Sequence, residues 1–445
     1  MSRQTVTIQS KMFAMKVTRA AGINGELVLP GDKSISHRAA ILSALSDGEA
    51  LITNFGSSVD CSATVDCLRE LGVQIDRDGS RLEVHGVGKD GLKQPKRELN
   101  CENSGTTMRL MSGVLAGQNI ESVLIGDESL QKRPMKRVID PLVSMGADVH
   151  GVDGHAPITI KGRRPLKAID YVPIAASAQL KSCVLLAGLN ADGETSVLEK
   201  TPTRDHTERM LGWLGVEVRE TQAGDGKRIS LSGDARLTAK DILVPSDLSS
   251  AAFFIVAAGF LAGSELRMPD VGTNGSRLAV VDVLKKIGVD IEISNERLSC
   301  NEPVADLIVR GRSGISSENH NVLSGPIIAN LIDEVPILAI AGTQLKGGLE
   351  IRNAGELRIK ESDRIAAIVS NLKKMGANVE EFDDGFKVER SQLKGATVDS
   401  FGDHRIAMAF AVAGLFAEGE TQIAGAECAA VSFPEFFDEL ARIKY

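Results

Sequence analysis

The chain has 445 residues, 43% of them hydrophobic and 25% charged, with a net charge of −8. That length exceeds one hydrophobic core and the composition is that of an ordinary soluble chain, so two domains are the default. The acidic balance and the 4% aromatic content argue against a nucleic-acid or membrane-surface role, so any anion site has to be built locally.

In chain order, "MSRQTVTIQSKMFAMKVTRA" (1–20) is polar and basic without an apolar centre. It does not read as a signal peptide, and its first ten or so residues are expected to form a loose tail. No apolar run approaches the length of a membrane span. The cysteines at 61, 67, 101, 183, 300 and 428 form no C-x-x-C or Cys/His cluster, which predicts reduced thiols, no metal and a cytoplasmic setting. Next comes "LPGDKSISHRAAILSALSDG" (29–48), a break at Pro30-Gly31 followed by a buried helix. Its first turns hold Lys33, Ser34, Ser36, His37 and Arg38. Cations at a helix N-terminus oppose the dipole unless an anion lies between them. Alone they would repel one another, which favours an open cleft.

"LRELGVQI" (68–75) reads as the end of an amphipathic helix, a glycine C-cap and an alternating strand. The phrase returns as "LVSMGADV" (142–149), "LGWLGVEV" (211–218), "LKKIGVDI" (284–291) and "LKKMGANV" (372–379), and "LARIKY" (440–445) is a sixth copy cut where the glycine would fall. Between the copies lie helices of small residues, apolar nearly all round, which predicts burial on every side. A unit of roughly 70 residues is thus repeated six times. Polar capping repeats are not visible, so closure into two globules of three units, divided near "DILVPSDLSS" (241–250), fits better than a linear solenoid.

Each buried helix is entered through a polar stretch: "KSISHR" (33–38), "ENSGTTMR" (102–109), "ASAQLK" (176–181), "SDLSS" (246–250), "LIDEVP" (331–336) and "DHR" (403–405). Free N–H groups and the positive dipole end make such positions anion sites. Ser249 and Ser250 read as caps, as would Ser34 and Ser36 without Lys33 and Arg38 beside them. Asp333 and Glu334 suit a first turn, and His404 suits either a core or a site. Basic clusters add "LQKRPMKRV" (130–138), with Lys132, Arg133, Lys136 and Arg137, and "TPTRDHTERM" (201–210), with Arg204. In "ELRIKESDRI" (356–365) the spacing puts Lys360 and Arg364 on one helical face. Arginine forks and lysine points suit phosphates and carboxylates. P-loop, dinucleotide, H-E-x-x-H and G-x-S-x-G motifs are missing. What remains is a cofactor-free site with many cations, Asp333 and Glu361 for proton transfer and Lys33 as an acid: general acid–base catalysis on a multiply anionic substrate.

Together, "PGDKSISHR", "NSGTTMR", "KRPM", "SAQLKS", "TRDHTE", "IDEVPILA", "LRIKESDR", "DHRIAMAF" and "SFPEF" resemble the 5-enolpyruvylshikimate-3-phosphate synthase family along essentially the whole chain. The resemblance implies an α/β fold of six βαβαββ units, three per domain, forming a two-domain inverse α/β barrel. It divides the chain into a discontinuous domain of 1–30 and 247–445 and a second of 31–246, with the site in the cleft. The implied reaction transfers the enolpyruvyl group of phosphoenolpyruvate to the 5-hydroxyl of shikimate 3-phosphate through a tetrahedral adduct, in a cytoplasmic monomer without cofactor or metal. Carried over by motif, Lys33, Ser34, Arg38, Ser177, Ala178, Gln179, Arg204, Asp333 and Lys360 would contact shikimate 3-phosphate. Lys33, Gly105, Arg133, Gln179, Arg364 and Arg405 would contact phosphoenolpyruvate. Asp333, Glu361 and Lys33 would handle protons, with Asn103, Thr106 and His404 in support. Val431, Leu110, Glu356 and the "SAQ" triplet depart from many bacterial and plant members and resemble the second class of the family, often linked to glyphosate tolerance; Gly105 points the other way. Two alternatives are a UDP-N-acetylglucosamine enolpyruvyl transferase, which would need a K-N motif and a loop cysteine, and an RNA 3′-terminal phosphate cyclase, which would need a basic RNA face.

Overall fold

The computed structural model describes residues 14–312, 315 and 321–445; the tail expected over the first ten residues lies outside them. Six helices are buried almost throughout: Lys33–Ala44, Gly105–Ala116, Ala178–Gly188, Leu248–Phe260, Val335–Gln344 and His404–Phe416. Their Ala, Gly and Ser residues let neighbours approach closely. At Gly113 a methyl would stand 2.2 Å from the Cys183 carbonyl oxygen of the adjoining inner helix, so only glycine permits that packing. Outer helices, each with a wet face, are Val59–Glu70, Lys136–Ser144, His206–Trp213, Ala279–Lys286, Arg364–Lys374 and Phe436–Ile443. Two residues beyond the first five stand Gly72, Gly146, Gly215, Gly288 and Gly376, with φ between 79° and 102°. That left-handed conformation ends a helix at little cost for glycine.

The sheets repeat one pattern. Leu99–Asn100 runs parallel to Glu121–Ile125, which pairs antiparallel with His155–Lys161, the second arm of a hairpin begun by Asp148–Val152. In the sixth unit Thr397–Asp399 runs parallel to Glu420–Ala424, and the antiparallel partner is Ala14–Thr18, from the other end of the chain. The cut sixth copy is therefore completed by the N-terminal strand. The ring is sealed by Ala21 N–H donating to the Tyr445 carbonyl (2.8 Å) and Tyr445 N–H to the Gly22 carbonyl (3.1 Å).

Two strands are exchanged between units. Asn24–Glu26, just ahead of the first inner helix, pairs with Glu265–Gly272 of the fourth unit. Ile242–Leu243, ahead of the fourth inner helix, pairs with Asp47–Thr53 of the first. Buried apolar side chains accordingly form two clusters: one runs from Ile35 to Val244, and the other joins Val17–Leu29 to residues between Leu248 and Ile443. The chain crosses between these two lobes twice, side by side. Asp32 N–H donates to the Pro245 carbonyl (2.7 Å) and Asp247 N–H to the Pro30 carbonyl (2.9 Å), with Gly31 bridged antiparallel to Ser246. Among the described residues no helix is long and apolar enough to cross a membrane.

A methyl on Gly31 would stand 1.7 Å from the Asn54 carbonyl oxygen, whereas one on Gly275 meets open space. Gly31→Ala is expected to cost about 2–3 kcal/mol in urea unfolding, and Gly275→Ala less than about 0.5 kcal/mol.

Candidate active site

The inner helices present their N-termini to the space between the lobes. Asp32, Ser104, Ser177, Asp247 and Asp403 cap five of them through their side chains. The fifth helix in chain order starts at Glu334 without such a bond. The serines expected as caps do other work. Ser36 Oγ accepts from Gly56 N–H (2.9 Å), and Ser250 Oγ donates to the capping Asp247 (2.9 Å). Ser249 Oγ accepts from Arg277 Nη2 (2.6 Å) and donates to Glu334. An aspartate one turn earlier out-competes serine because its charge also meets the dipole.

One or two residues past the five side-chain caps the chain faces inward. Lys33 and Ser34, Gly105 and Thr106, Ala178 and Gln179, Ser249, and His404 and Arg405 all line one cavity of about 450 Å3, as does Ser177. Arg109, Arg133, Arg137, Arg204, Arg277, Lys360 and Arg364, with Asp60, Asp247, Asp333, Glu356 and Glu361, complete the charged wall. Of the "KRPMKR" cluster, Lys132 and Lys136 point to solvent while Arg133 and Arg137, four residues apart, point in. Lys360 and Arg364 do not share a helical face: Gly355–Ile359 is a 3-10 turn, and the next helix begins at Arg364, capped by Asp363. Asp363 competes for the backbone N–H of Ala366 (3.0 Å) and so restarts the chain there.

Arg38 stands behind the wall rather than on it. Its guanidinium donates to Thr207 Oγ1 (2.6 Å), Ser182 Oγ (2.8 Å) and the Ser34 carbonyl (2.9 Å); burial lowers its pKa to about 10. Asn103 is also set back, accepting from Arg133 Nη2 (2.7 Å) and donating to Asp127 (2.7 Å). Gln179 is fixed from both ends, its Oε1 accepting from Arg109 (2.7 Å) and its Nε2 donating to Thr106 (2.8 Å).

Among the described residues, nine Arg and Lys side chains line the cavity against five Asp and Glu, an excess of four positive charges in a chain of net charge −8. These cations are not left to repel one another, as expected from the sequence, because carboxylates sit between them. Lys33 pairs with Asp60 (2.9 Å) and Arg364 with Asp403 (2.8 Å) and Glu361 (2.7 Å). Across the cavity, Arg204 pairs with Asp333 (2.7 Å) and Arg133 with Glu361 (3.5 Å), each bridging the lobes, so the cleft is drawn together. Arg405 donates to the Asp333 carbonyl oxygen (2.8 Å) and lies 3.9 Å from its carboxylate. Burial works to raise the pKa of Asp333, but Arg405, Arg204, Lys360 and Arg364 hold it well below the usual carboxylate range. Burial also opposes ionisation of Glu361, and Arg364, Arg133 and Lys360 prevail in the same direction. For Lys33 burial is outweighed by Asp60, and its pKa is raised. Two carboxylates and an ammonium therefore face the cavity. Among the described residues, Arg364 Nη1, Arg133 Nε and Arg109 Nε have no hydrogen-bond partner.

Asp60, Arg109 and Arg277 were missed in the sequence. Arg109 ends the quoted "NSGTTMR", five residues past the cap, and could have been weighed as Arg38 was. Asp60 looks like an ordinary first-turn acid of an outer helix, and Arg277 lies in a loop with no repeat to mark it.

Residues 17–440 match the family described as EPSP synthase (3-phosphoshikimate 1-carboxyvinyltransferase). The chain is 50% identical to the 3-phosphoshikimate 1-carboxyvinyltransferase of Salinibacter ruber, covering 96% of this chain and 98% of that one. It is 49% identical to that of Pelotomaculum thermopropionicum, with the same coverage. The structure of EPSP synthase from Acinetobacter baumannii superposes with a TM-score of 0.87 at 40% identity, covering 97% of this chain and 98% of that one. These names favour the first reading of the sequence over the sister transferase and the cyclase.

His404 is buried, and that burial, with Lys33 and Arg405 outweighing Asp403, lowers its pKa to about 3. The unfolded chain takes up this proton near pH 6.5, so the folded state is fully favoured above that pH and loses stability as pH falls from about 6.5 towards 3. The slope should approach about 1.4 kcal/mol per pH unit. Urea midpoints at pH 7 and pH 5 should converge in His404→Gln relative to the unsubstituted chain; equal losses in both would exclude His404 as the cause.

Proposed function

The chain belongs to the EPSP synthase family, enzymes of the shikimate pathway that leads to the aromatic amino acids, and on that premise we propose how its residues divide the work. The reaction moves the enolpyruvyl group of phosphoenolpyruvate to the 5-hydroxyl of shikimate 3-phosphate and releases phosphate. Both substrates carry a phosphate and a carboxylate, and the cavity's excess of four positive charges is the observation that carries the reading.

Shikimate 3-phosphate lies against Lys33, Ser34, Ser177, Ala178, Gln179, Arg204 and Lys360, with Arg38 acting from behind by holding the Ser34 carbonyl. Phosphoenolpyruvate lies against Arg133, Arg364, Arg405, Gly105 and Gln179. Asp333, kept ionised by its arginines, accepts the proton of the 5-hydroxyl as O5 bonds to C2. Lys33, kept protonated by Asp60, gives a proton to C3, so the adduct carries a methyl group. The Glu361 carboxylate then takes a C3 proton as the C2–O bond to phosphate breaks, which restores the double bond. The proton lost by O5 passes from Asp333 to the released phosphate, and the one taken by Glu361 returns to Lys33, so the cycle closes.

The domains are taken as 1–30 with 247–445, and 31–246, divided at the paired crossings. One chain supplies both walls of the cavity, which supports a working monomer. Six unpaired cysteines support a reducing, cytoplasmic setting.

Protein mixed with the two substrates should release inorganic phosphate without added metal or nucleotide; no release would sink the reading. Asp333→Asn should lower kcat by about 10²–10⁴-fold with little change in either KM, and an active variant would remove Asp333 as the base. A methyl at Gly105 would stand 2.8 Å from Arg109 Nη1 and 3.3 Å from Arg133 Nη1. Gly105→Ala should therefore raise KM for phosphoenolpyruvate by roughly tenfold, about 1.4 kcal/mol of binding, while KM for the other substrate holds.

A further inference from the structure

Lys181 belongs to the "SAQLKS" stretch, yet its side chain is only 2% exposed and faces away from the cavity chemistry. Its ammonium pairs with Glu208 (2.6 Å) on the His206–Trp213 helix and with Glu199 (3.1 Å) at the end of the strand Glu194–Glu199. Glu199 is itself about nine-tenths buried. The same Glu199 Oε1 accepts from the Thr203 backbone N–H (3.0 Å) and from the Thr203 hydroxyl. Thr203 is the residue before Arg204.

The segment that follows is pinned to the opposite lobe. Arg204 pairs with Asp333 (2.7 Å), and Asp205 accepts from Asn274 (2.7 Å). His206 pairs with Glu302 (2.8 Å), and Arg209 donates to the Asn301 carbonyl (3.0 Å). On its own lobe, Glu199 grips the start of this segment through Thr203. Lys181 links that grip to the inner helix whose first turn supplies Ala178 and Gln179.

We propose that Glu199 is a positioning residue: with Lys181 and Thr203 it sets where Arg204 stands relative to Gln179 and Asp333. It touches no substrate and acts through Arg204, a role that rests on the function proposed above. Two consequences separate this role from simple support of the fold. Arg204 helps to bind the anionic acceptor substrate, so loosening it weakens that substrate alone. Arg204 also helps to keep the Asp333 carboxyl ionised, so loosening it raises the pH at which the base is lost.

The test is a kinetic cycle of Glu199→Gln, Arg204→Gln and the double variant, with pH profiles of kcat and KM for both substrates. Glu199→Gln should raise KM for shikimate 3-phosphate by about tenfold and move the acid limb of kcat to higher pH. Arg204→Gln should do the same more strongly, and adding Glu199→Gln to it should change either quantity by less than about twofold. Thr203→Val, which keeps the Lys181 pair and so spares the buried charge, should act in the same direction by about threefold. A lowered melting temperature in Glu199→Gln with KM and the acid limb unchanged would overturn the proposal, as would multiplicative effects in the double variant. If Arg204→Gln alone left both quantities unchanged, the assigned role of Arg204 would fall as well.

Discussion

A helix buried on every side cannot leave its first N–H groups without acceptors, and this molecule aims six such helices at one space. That constraint accounts for most of what surrounds the cavity. Five ends are closed by an Asp or Ser side chain, and residues one or two places later line the cavity. The positive potential of the helix ends adds to the cations placed there, so the space favours small, multiply charged anions. The cost of crowding so many cations is met by buried carboxylates. Arg364, only 1% exposed, is held between Asp403 and Glu361, a geometry in which removing either partner would strand a charge.

The same carboxylates serve two ends. Asp333 and Glu361 tie the lobes through Arg204 and Arg133, and those arginines help to keep both ionised. The negative charge of the cavity wall and the link between the lobes thus depend on the same atoms. The paired crossings join the lobes side by side. Asp32 and Asp247 each cap the first helix of the lobe the chain is entering, and Arg277 lies 3.7 Å and 3.2 Å from them.

Much of this was legible in the sequence because the repeat is written in glycines and in small-residue helices, whose spacing reports the fold directly. The helix starts were legible too, and they brought together Lys33, Ser34, Gly105, Gln179, Asp333 and Arg405, to which the charged cluster at 356–365 added Glu361 and Arg364. What was not legible depends on pairing between distant segments. Asp60 becomes a partner for Lys33 only once the first two helices of the unit pack. Nothing local in Glu199 distinguishes it from any charged strand end. The spacing of Lys360 and Arg364 suggested one helix, but Asp363 captures a backbone N–H and restarts the chain. The cut sixth copy gave no hint of its completion, because the missing strand lies some 400 residues earlier.

That last pairing has a consequence for the order in which the protein can be made. The lobe whose core runs from Ile35 to Val244 is an unbroken stretch and can close as soon as Ile242–Leu243 reaches Asp47–Thr53. Ala14–Thr18 emerges from the ribosome first of the described strands, yet its partner Glu420–Ala424 is among the last. Until Glu420–Ala424 has been made, the finished lobe is tethered to an unpaired leading strand, and the second lobe can be sealed only after that strand emerges.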